Sequence, residues 1–174
     1  FFKQKTAYEI PKRDWSSDVC SSDLGGAAQR LTTHAGAETH AAISPDGQWV
    51  AFSASYEGPV EAYVMPVNGG VPKRLTWYGT RAEVMGWSPR GEVMVATRHY
   101  HPLGRLQLVL VSRDGRAQSV VPLENAAASA FLDARTLIFT RENNRGDNVR
   151  AYRGGAMSVL WRFDVERANE AVAL

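Results

Sequence analysis

Arg30-Leu31-Thr32 and Ser44-Pro45-Asp46-Gly47 return 44 residues further along the chain, as Arg74-Leu75-Thr76 and Ser88-Pro89-Arg90-Gly91. A repeat of roughly 40 to 50 residues, each holding several short strands, is typical of propeller blades. The spacing therefore predicts a β-propeller before any single residue is considered for chemistry.

A weaker third copy of the repeat follows the first two. Asp114-Gly115 stands where the second copy has Gly69-Gly70, and Phe131 continues the series of Ile43 and Trp87. We therefore predict an all-β fold of about three four-stranded blades, a partial β-propeller. Closed propellers need about four to eight blades, so we expect these blades to be a fragment of a six- or seven-bladed propeller.

Short apolar runs bounded by turn residues predict the central strands of the blades. These runs are Val50–Phe52, Met94–Ala96, Leu108–Val111 and Leu137–Phe139. Continuous apolar strands of this kind suit sheets that are covered on both faces. No apolar period of 3.6 residues persists beyond two turns, so helices are not expected.

Turn residues predict how the strands connect. Ser44-Pro45-Asp46-Gly47 should join an inner strand at about 38–43 to a second strand at about 48–54, because serine caps the turn and proline presets its φ. Asn68-Gly69-Gly70 and Asp114-Gly115 should connect third strands to outer strands. Gln29–Thr32 is predicted to be the remnant of an outer strand from a preceding blade.

Composition excludes several classes of partner and site. The 174 residues include 20 basic and 18 acidic side chains, for a net charge of +2. Because the basic residues are scattered, we expect no nucleic-acid partner. One cysteine cannot form an internal disulfide framework. No stretch approaches the roughly 20 apolar residues of a membrane span, so no membrane association is expected.

Residues 1–24 differ from the rest of the chain. They lack the repeat, contain Cys20, and echo Ser16-Ser17-Asp18 as Ser21-Ser22-Asp23. The string resembles the conceptual translation of sequencing-adapter DNA. We therefore expect residues 1–24 to be a non-native or disordered leader, a real but poorly ordered tail being the alternative, and residues 25–174 to be a partial N-terminal β-propeller domain.

Residues 25–174 resemble the N-terminal propeller of the tricorn protease family. The first part of the resemblance runs from Glu38 through Ser44–Gly47 to Trp49–Gly58, but its Ser-Pro-Asp-Gly and Arg-Leu-Thr elements also occur in Tol and prolyl oligopeptidase propellers. Asn148–Gly155 followed by Leu160–Asp164 is more specific. It resembles the arginine-tyrosine, double-glycine and tryptophan pattern after a blade-three insertion in tricorn-like peptidases.

The resemblance implies a large, homo-oligomeric serine peptidase with two propellers, a PDZ-like module and a catalytic core. The propellers of such proteins are thought to steer peptides to and from a central chamber. The partners it implies are the remaining domains of the parent chain and peptides, and it implies a cytoplasmic location, a periplasmic one being the alternative. We expect this chain to be noncatalytic, with no cofactor. A Tol-type propeller acting in protein assembly remains the alternative.

Serine and histidine residues give no convincing catalytic or metal site in the sequence. Ser44 and Ser88 belong to repeated turns, where a hydroxyl caps the backbone, and a triad requires a specific geometry. His99-Tyr100-His101 has a spacing that two metal ligands on one strand could share. Pro102 and Gly104 instead favour a loop between second and third strands, and His34 and His40 are interpreted as blade-edge residues.

Basic and aromatic residues give one candidate contact site. Arg150, Tyr152 and Arg153 are predicted as peptide contacts, because guanidinium groups bind carboxylates and an aromatic ring can cover a peptide chain. The alternative is that the local arginines, Arg141 and Arg145 included, pair with acidic neighbours and hold the insertion at about 142–157, which we expect to be irregular. Repeat-matched Trp49 and Trp87 are predicted to lie in the blade core.

Overall fold

The computed structural model describes residues 30–141, 159–167 and 171–174. Within them the chain forms strands and no helix. The strands are β1 (Glu38–Ile43), β2 (Trp49–Ala54), β3 (Glu61–Pro66), β4 (Lys73–Arg74), β5 (Ala82–Trp87), β6 (Val93–Thr97), β7 (Gln107–Val111), β8 (Gln118–Val120), β9 (Ala126–Phe131), β10 (Thr136–Arg141), β11 (Leu160–Asp164) and β12 (Val172–Ala173). Among the described residues there is no helix with the length and apolar content that crossing a bilayer requires.

The strands form three antiparallel sheets of four, in which neighbours in sequence are neighbours in the sheet. We call β1–β4 blade 1, β5–β8 blade 2 and β9–β12 blade 3. The predicted all-β fold with three four-stranded blades is therefore confirmed. The predicted inner strand at 38–43 is β1, and the predicted second strand at 48–54 is β2, which begins at Trp49.

Alternate side chains of each central strand pack into different cores. In β6, Val93 and Val95 join a cluster shared with blade 1, whereas Met94 and Ala96 join a cluster shared with blade 3. Every residue of β6 is buried as a result. This packing explains why the apolar runs lack alternation, since both faces of the strand meet apolar neighbours.

The chain divides into two compact units, Phe1–Arg30 and Leu31–Leu174. The second unit contains β1 to β12, and the predicted leader at 1–24 lies outside the described residues. The prediction of an outer strand at Gln29–Thr32 is wrong over Arg30–Thr32, which have no strand structure. In the second copy Arg74 pairs with Tyr63 of β3. The sheets of the described residues contain no strand that stands beside residues 30–32 as β3 stands beside Arg74.

The two repeat-matched tryptophans differ in burial. Trp87 is buried in the core between blades 1 and 2, and its indole Nε1 donates to the Ala42 carbonyl at 2.8 Å. Trp49 is only partly buried and packs against the edge of that core. The Arg113 guanidinium lies 5.4 Å from its ring centre. The predicted core position is confirmed for Trp87. For Trp49 it is wrong in degree, because Trp49 lies beside the first turn and one side of its ring faces the Arg113 guanidinium instead of the core.

Candidate functional site

The loops of each blade fall at two opposite ends of its strands. The end that carries the links between second and third strands, and the links from each outer strand to the next inner strand, we call the connection face. It comprises residues 55–60, 75–81, 98–106 and 121–125. The hairpin turns at the other end form the turn face, which comprises residues 44–48, 67–72, 88–92, 112–117 and 132–135.

The predicted peptide contacts Arg150, Tyr152 and Arg153 lie outside the described residues, as does the predicted insertion at 142–157. The structure does describe the two points where this link joins the sheet. β10 ends at Arg141 and β11 begins at Leu160, and both points lie at the connection face. Arg141 is fixed there by its guanidinium, which lies 4.3 Å from the centre of the Trp161 ring. The link that contains the predicted contacts therefore leaves and re-enters blade 3 at the connection face.

A buried carboxylate organises the connection face of blade 1. Glu61 has no solvent exposure. It accepts hydrogen bonds from the Thr76 hydroxyl at 2.5 Å, Arg74 Nη2 at 3.2 Å and the Gly79 N–H at 3.0 Å. The repeated Arg-Leu-Thr element thus has a physical role, since its arginine forms an ion pair with Glu61 and its threonine donates a hydrogen bond to it. Sequence reasoning used the element only as a repeat marker and missed its acidic partner on another strand.

Arg74 is held from several sides. Its Nη1 donates to Glu57 at 2.9 Å and its Nε to the Thr76 carbonyl at 2.7 Å. Burial disfavours the charged guanidinium, but the hydrogen bond to Glu57 and the charge of Glu61 outweigh it, so the pKa of Arg74 lies above its ordinary value. The same guanidinium lies 5.5 Å from the ring centre of Trp77, whose side chain is 63% exposed on the connection face.

Aromatic rings cluster on the connection face of blade 2. Tyr78 stacks on His99 with ring centres 4.9 Å apart, and Tyr100 meets both rings edge-on. The hydroxyls of both tyrosines donate to Gln118 Oε1, each at 2.8 Å. Burial and the bond to Tyr100 raise the pKa of Tyr78 far above its usual range. The tyrosine is therefore a neutral hydrogen-bond donor.

The histidine pair lies in a loop, as the sequence predicts, between β6 and β7. His99 is engaged by the Tyr78 ring, whereas His101 accepts the Leu103 N–H through Nδ1 at 3.1 Å. The structure therefore gives the two rings different partners. In the part of the chain that is described, no cluster of three histidine, cysteine or carboxylate groups could hold a metal ion.

An aromatic contact recurs with the period of the repeat. His34 meets Tyr56 with ring centres 4.1 Å apart in blade 1, and the residues 44 positions later, Tyr78 and Tyr100, meet at 5.5 Å in blade 2. Each pair links the segment that enters a blade to the loop between its second and third strands. Sequence reasoning missed these pairs, although their common spacing of 44 residues was a signal that could have shown them.

The turn serines use their hydroxyls in local hydrogen bonds. Ser44 Oγ accepts the Trp49 N–H at 2.9 Å and donates to Asp46. Ser88 Oγ accepts the Glu92 N–H at 3.1 Å and donates to its carboxylate at 3.0 Å. Both serines therefore cap turns, as predicted.

The inner strands β1, β5 and β9 each pair with one neighbour among the described strands, so each has a free edge. Each also has a register shift, which in β1 falls between Thr39 and Ala42 and in β5 between Val84 and Gly86. His40 at φ 54° and Gly86 at φ 147° lie at these bulges. Bulges at a sheet edge twist the strand and discourage further pairing.

Three stacked four-stranded blades with free inner edges have the geometry of part of a propeller. The sequence also matches the tricorn protease N-terminal beta propeller domain over residues 15–173. The chain belongs to this tricorn propeller family. The match to this family begins within the first 24 residues of the chain and extends almost to its last residue.

Curated relatives of the tricorn propeller support the assignment. Tricorn protease homolog 1 of Streptomyces coelicolor is 32% identical over 152 residues, which cover 86% of this chain and 14% of the relative. A tricorn protease homolog of Saccharolobus solfataricus is 26% identical over 136 residues, which cover 76% of this chain and 13% of the relative. The chain thus spans about one-seventh of the length of these relatives.

Solved structures show the same fold. A tricorn protease crystal structure matches with a TM-score of 0.69 at 21% identity, over 87% of this chain and 16% of that chain. A putative TolB from Agrobacterium tumefaciens matches with a TM-score of 0.58 at 21% identity, over 75% of this chain and 43% of that chain. Tricorn and Tol propellers therefore share this architecture, and the structural likeness alone does not separate them.

Proposed function

We propose that this chain is the noncatalytic propeller part of a tricorn-like serine peptidase, which guides peptides to or from a catalytic core elsewhere in the parent protein. The observation that carries the proposal is the position of Arg141 and Leu160. They attach the link containing Arg150, Tyr152 and Arg153 to the connection face. The Arg74 cluster and the exposed Trp77 ring belong to the same face.

The chemistry of this face suits peptides. A peptide carries a terminal carboxylate, and a guanidinium group can bind it through two parallel hydrogen bonds. The Tyr152 ring would cover the adjoining chain. The free inner edges, with their bulges, would let an extended peptide pass without being added to a blade as a fifth strand.

Peptide binding tests the guiding role. The full chain is titrated with short fluorescent peptides, each with a free or an amidated C-terminus. We expect the free form to bind more tightly, and Arg150→Ala or Arg153→Ala to weaken it by about tenfold, since a hydrogen bond to a charged group is worth about 1.5–3 kcal/mol. Arg116→Ala is the matched control, because Arg116 lies on the turn face with a side chain 89% exposed. Equal affinity of all variants would contradict the proposal.

Activity measurements test the noncatalytic assignment. Fluorogenic peptides should not be turned over by this chain, and a serine-directed probe should not label it. Turnover that disappears when one of its serines is replaced would show that catalysis resides in these blades.

A Tol-type binding propeller in protein assembly is the second candidate, and the TolB match supports its fold. The two candidates differ in the domains that the complete gene would encode downstream of residue 174. A PDZ-like module and a peptidase core would favour the peptidase, whose oligomeric state and proposed cytoplasmic location could then be measured on the full-length protein. A Tol-type protein would instead be periplasmic.

A further inference from the structure

Trp77 presents an aromatic ring to solvent at the connection face. The residue is 63% exposed. The repeat does not require a tryptophan there, because the equivalent residues are Thr33 in the first copy and Val121 in the third. A single exposed apolar residue is common on protein surfaces and needs no ligand to explain it. Trp77 differs from such a residue because a charged group holds its ring.

Arg74 fixes the position of the Trp77 ring. Its Cζ lies 5.5 Å from the ring centre, within the range of a cation–π contact. The guanidinium is itself held by Glu61 at 3.2 Å and by the Thr76 carbonyl at 2.7 Å. Because Arg74 is anchored to a buried carboxylate, the ring is positioned before any ligand arrives. A surface that is ordered in advance loses less entropy when it binds.

The charge beside this ring is unbalanced. Arg74 forms ion pairs with Glu57 at 2.9 Å and with Glu61 at 3.2 Å, and in the described part of the chain no other cation pairs with either carboxylate. One guanidinium therefore faces two carboxylates. Glu61 has no solvent exposure, so the excess negative charge is accessible at Glu57, whose side chain is 70% exposed. The exposed ring thus lies beside an accessible carboxylate.

Two other ion pairs at this end of the blades are balanced. Arg81 pairs with Glu83 at 2.5 Å, and Arg105 pairs with Glu124 at 3.0 Å, each with one cation for one carboxylate. A cationic ligand that approaches this face is therefore attracted to Glu57 more strongly than to Glu83 or Glu124, because opposite charges attract and a carboxylate with its own cation is already compensated.

We propose that Glu57 and Trp77 bind the free amino terminus of a peptide. The α-ammonium group donates to Glu57 Oε1, since Oε2 already accepts Arg74 Nη1, and the first residues of the peptide lie against the Trp77 ring. The inference rests on the proposed function, because it takes peptides as the ligands of the connection face. It adds recognition of the second end of the peptide, since Arg150 and Arg153 are proposed to bind the carboxylate.

Four versions of one peptide separate the two ends. A five-residue peptide without lysine or arginine is prepared with its amino terminus free or acetylated and its carboxyl terminus free or amidated. Binding of each to the full chain is measured by isothermal titration calorimetry. We expect acetylation to weaken binding by about fivefold with either carboxyl terminus, a modest factor because Glu57 is exposed to solvent.

A charge variant tests the role of the carboxylate. Glu57→Gln keeps the shape of the side chain and removes its charge, so it should weaken binding of the free amino terminus by about fivefold and leave binding of the acetylated peptide unchanged. Glu124→Gln is the matched control, because the Glu124 side chain is 65% exposed at the same face and has its own cation in Arg105. It should bind all four peptides as the unmodified chain does.

A ring variant tests the role of the tryptophan. Trp77→Ala should weaken binding of the free and the acetylated peptides by the same factor, about threefold or more, because the ring contacts the peptide chain and not only its charge. Leu103→Ala is the control, since Leu103 is an apolar residue of the connection face that is 77% exposed. It should leave all affinities unchanged.

Several results would overturn the proposal. Equal affinity for free and acetylated amino termini is one, and an equal loss with Glu57→Gln and Glu124→Gln is another. If an acetylated peptide with one lysine bound as tightly as the free form, the site would take any primary ammonium group and the assignment to the amino terminus would be wrong. Amidation of the carboxyl terminus reports on Arg150 and Arg153 instead, so failure of the proposed function is distinguishable from failure here.

Discussion

Glu61 is a carboxylate without access to solvent, so the free-energy cost of burying it depends on the hydrogen-bond donors around it. Arg74→Ala removes the ion pair at 3.2 Å and leaves the charge buried beside only neutral donors. We expect a loss of about 2–4 kcal/mol in the free energy of unfolding, measured by urea denaturation. Arg81→Ala is the control, since Arg81 pairs with Glu83 at a side-chain exposure of 69% and should cost less than about 1 kcal/mol. Equal losses in both variants would show that Glu61 does not depend on Arg74.

Turn aspartates make stability depend on acid pH. Asp133 accepts the N–H groups of Arg135 at 2.8 Å and Thr136 at 2.7 Å, and these bonds lower its pKa below the ordinary value of 3.8. A lowered folded-state pKa stabilises the fold above the unfolded value, and this contribution is lost as the pH falls through the folded value. Asp133→Asn should therefore flatten the decline of melting temperature below about pH 4. An unchanged fall of the melting temperature with acid pH in the Asp133→Asn variant would contradict this prediction.

The residue scale also shows what sequence can and cannot predict. Ser44 and Ser88 were predicted to be turn caps, because a turn is formed by residues close in sequence. Glu61 was missed, because its partners Arg74 and Thr76 reach it only after two strands have paired. The predicted peptide contacts Arg150, Tyr152 and Arg153 stay predictions.

Register shifts interrupt the regular strand pairing of the inner strands. β5 pairs with β6 in register up to Val84 and resumes with a shift at Gly86, where φ is 147°. Gly86→Ala should cost about 1–3 kcal/mol, because residues with a side chain avoid this backbone region. Calorimetry would measure it. Ala128→Ser, on the exposed part of β9, is the control and should change stability by less than about 0.5 kcal/mol. No loss at Gly86 would mean that the bulge relaxes freely.

Strands could be predicted from the sequence where turn-forming residues stand at their ends. The apolar runs gave β2, β6, β7 and β10, because a strand with two covered faces is continuously apolar. The bulges were not predicted, since a one-residue shift leaves no mark in composition. Ser112-Arg113-Asp114-Gly115 was seen only as a glycine turn. In the structure Ser112 Oγ accepts the Ala117 N–H at 2.9 Å, which is the arrangement of Ser44.

At the scale of the whole molecule, the face of blade 3 turned away from blade 2 carries exposed apolar side chains beside Arg162 and Asp164. Leu160 and Val172 on this face are 53% and 55% exposed, whereas Phe163, on the opposite face of the same sheet, is buried. We expect concentration-dependent self-association, measured by analytical ultracentrifugation. Leu160→Lys should weaken it by about tenfold, because burying a leucine is worth roughly 1.5–3 kcal/mol. Leu103→Lys, at a loop position on the connection face that is 77% exposed, should have no effect.

A monomer at all concentrations would contradict this expectation. The opposite side of the stack behaves differently, because Phe52 and Met65 on the outer face of blade 1 are 4% and 1% exposed. Periodicity identifies which residues face outward from a sheet, but whether another part of the chain covers them is decided by tertiary contacts alone.

The shared packing of β6 makes two adjacent residues report on two separate interfaces. Val95 faces blade 1 and Met94 faces blade 3. A linear stack frays from its ends, since a terminal unit has one neighbour and the middle unit has two. The middle blade is thus the last to lose order. A spectroscopic label at Val95 would report the loss of packing against blade 1 but not against blade 3, and a label at Met94 would report the reverse.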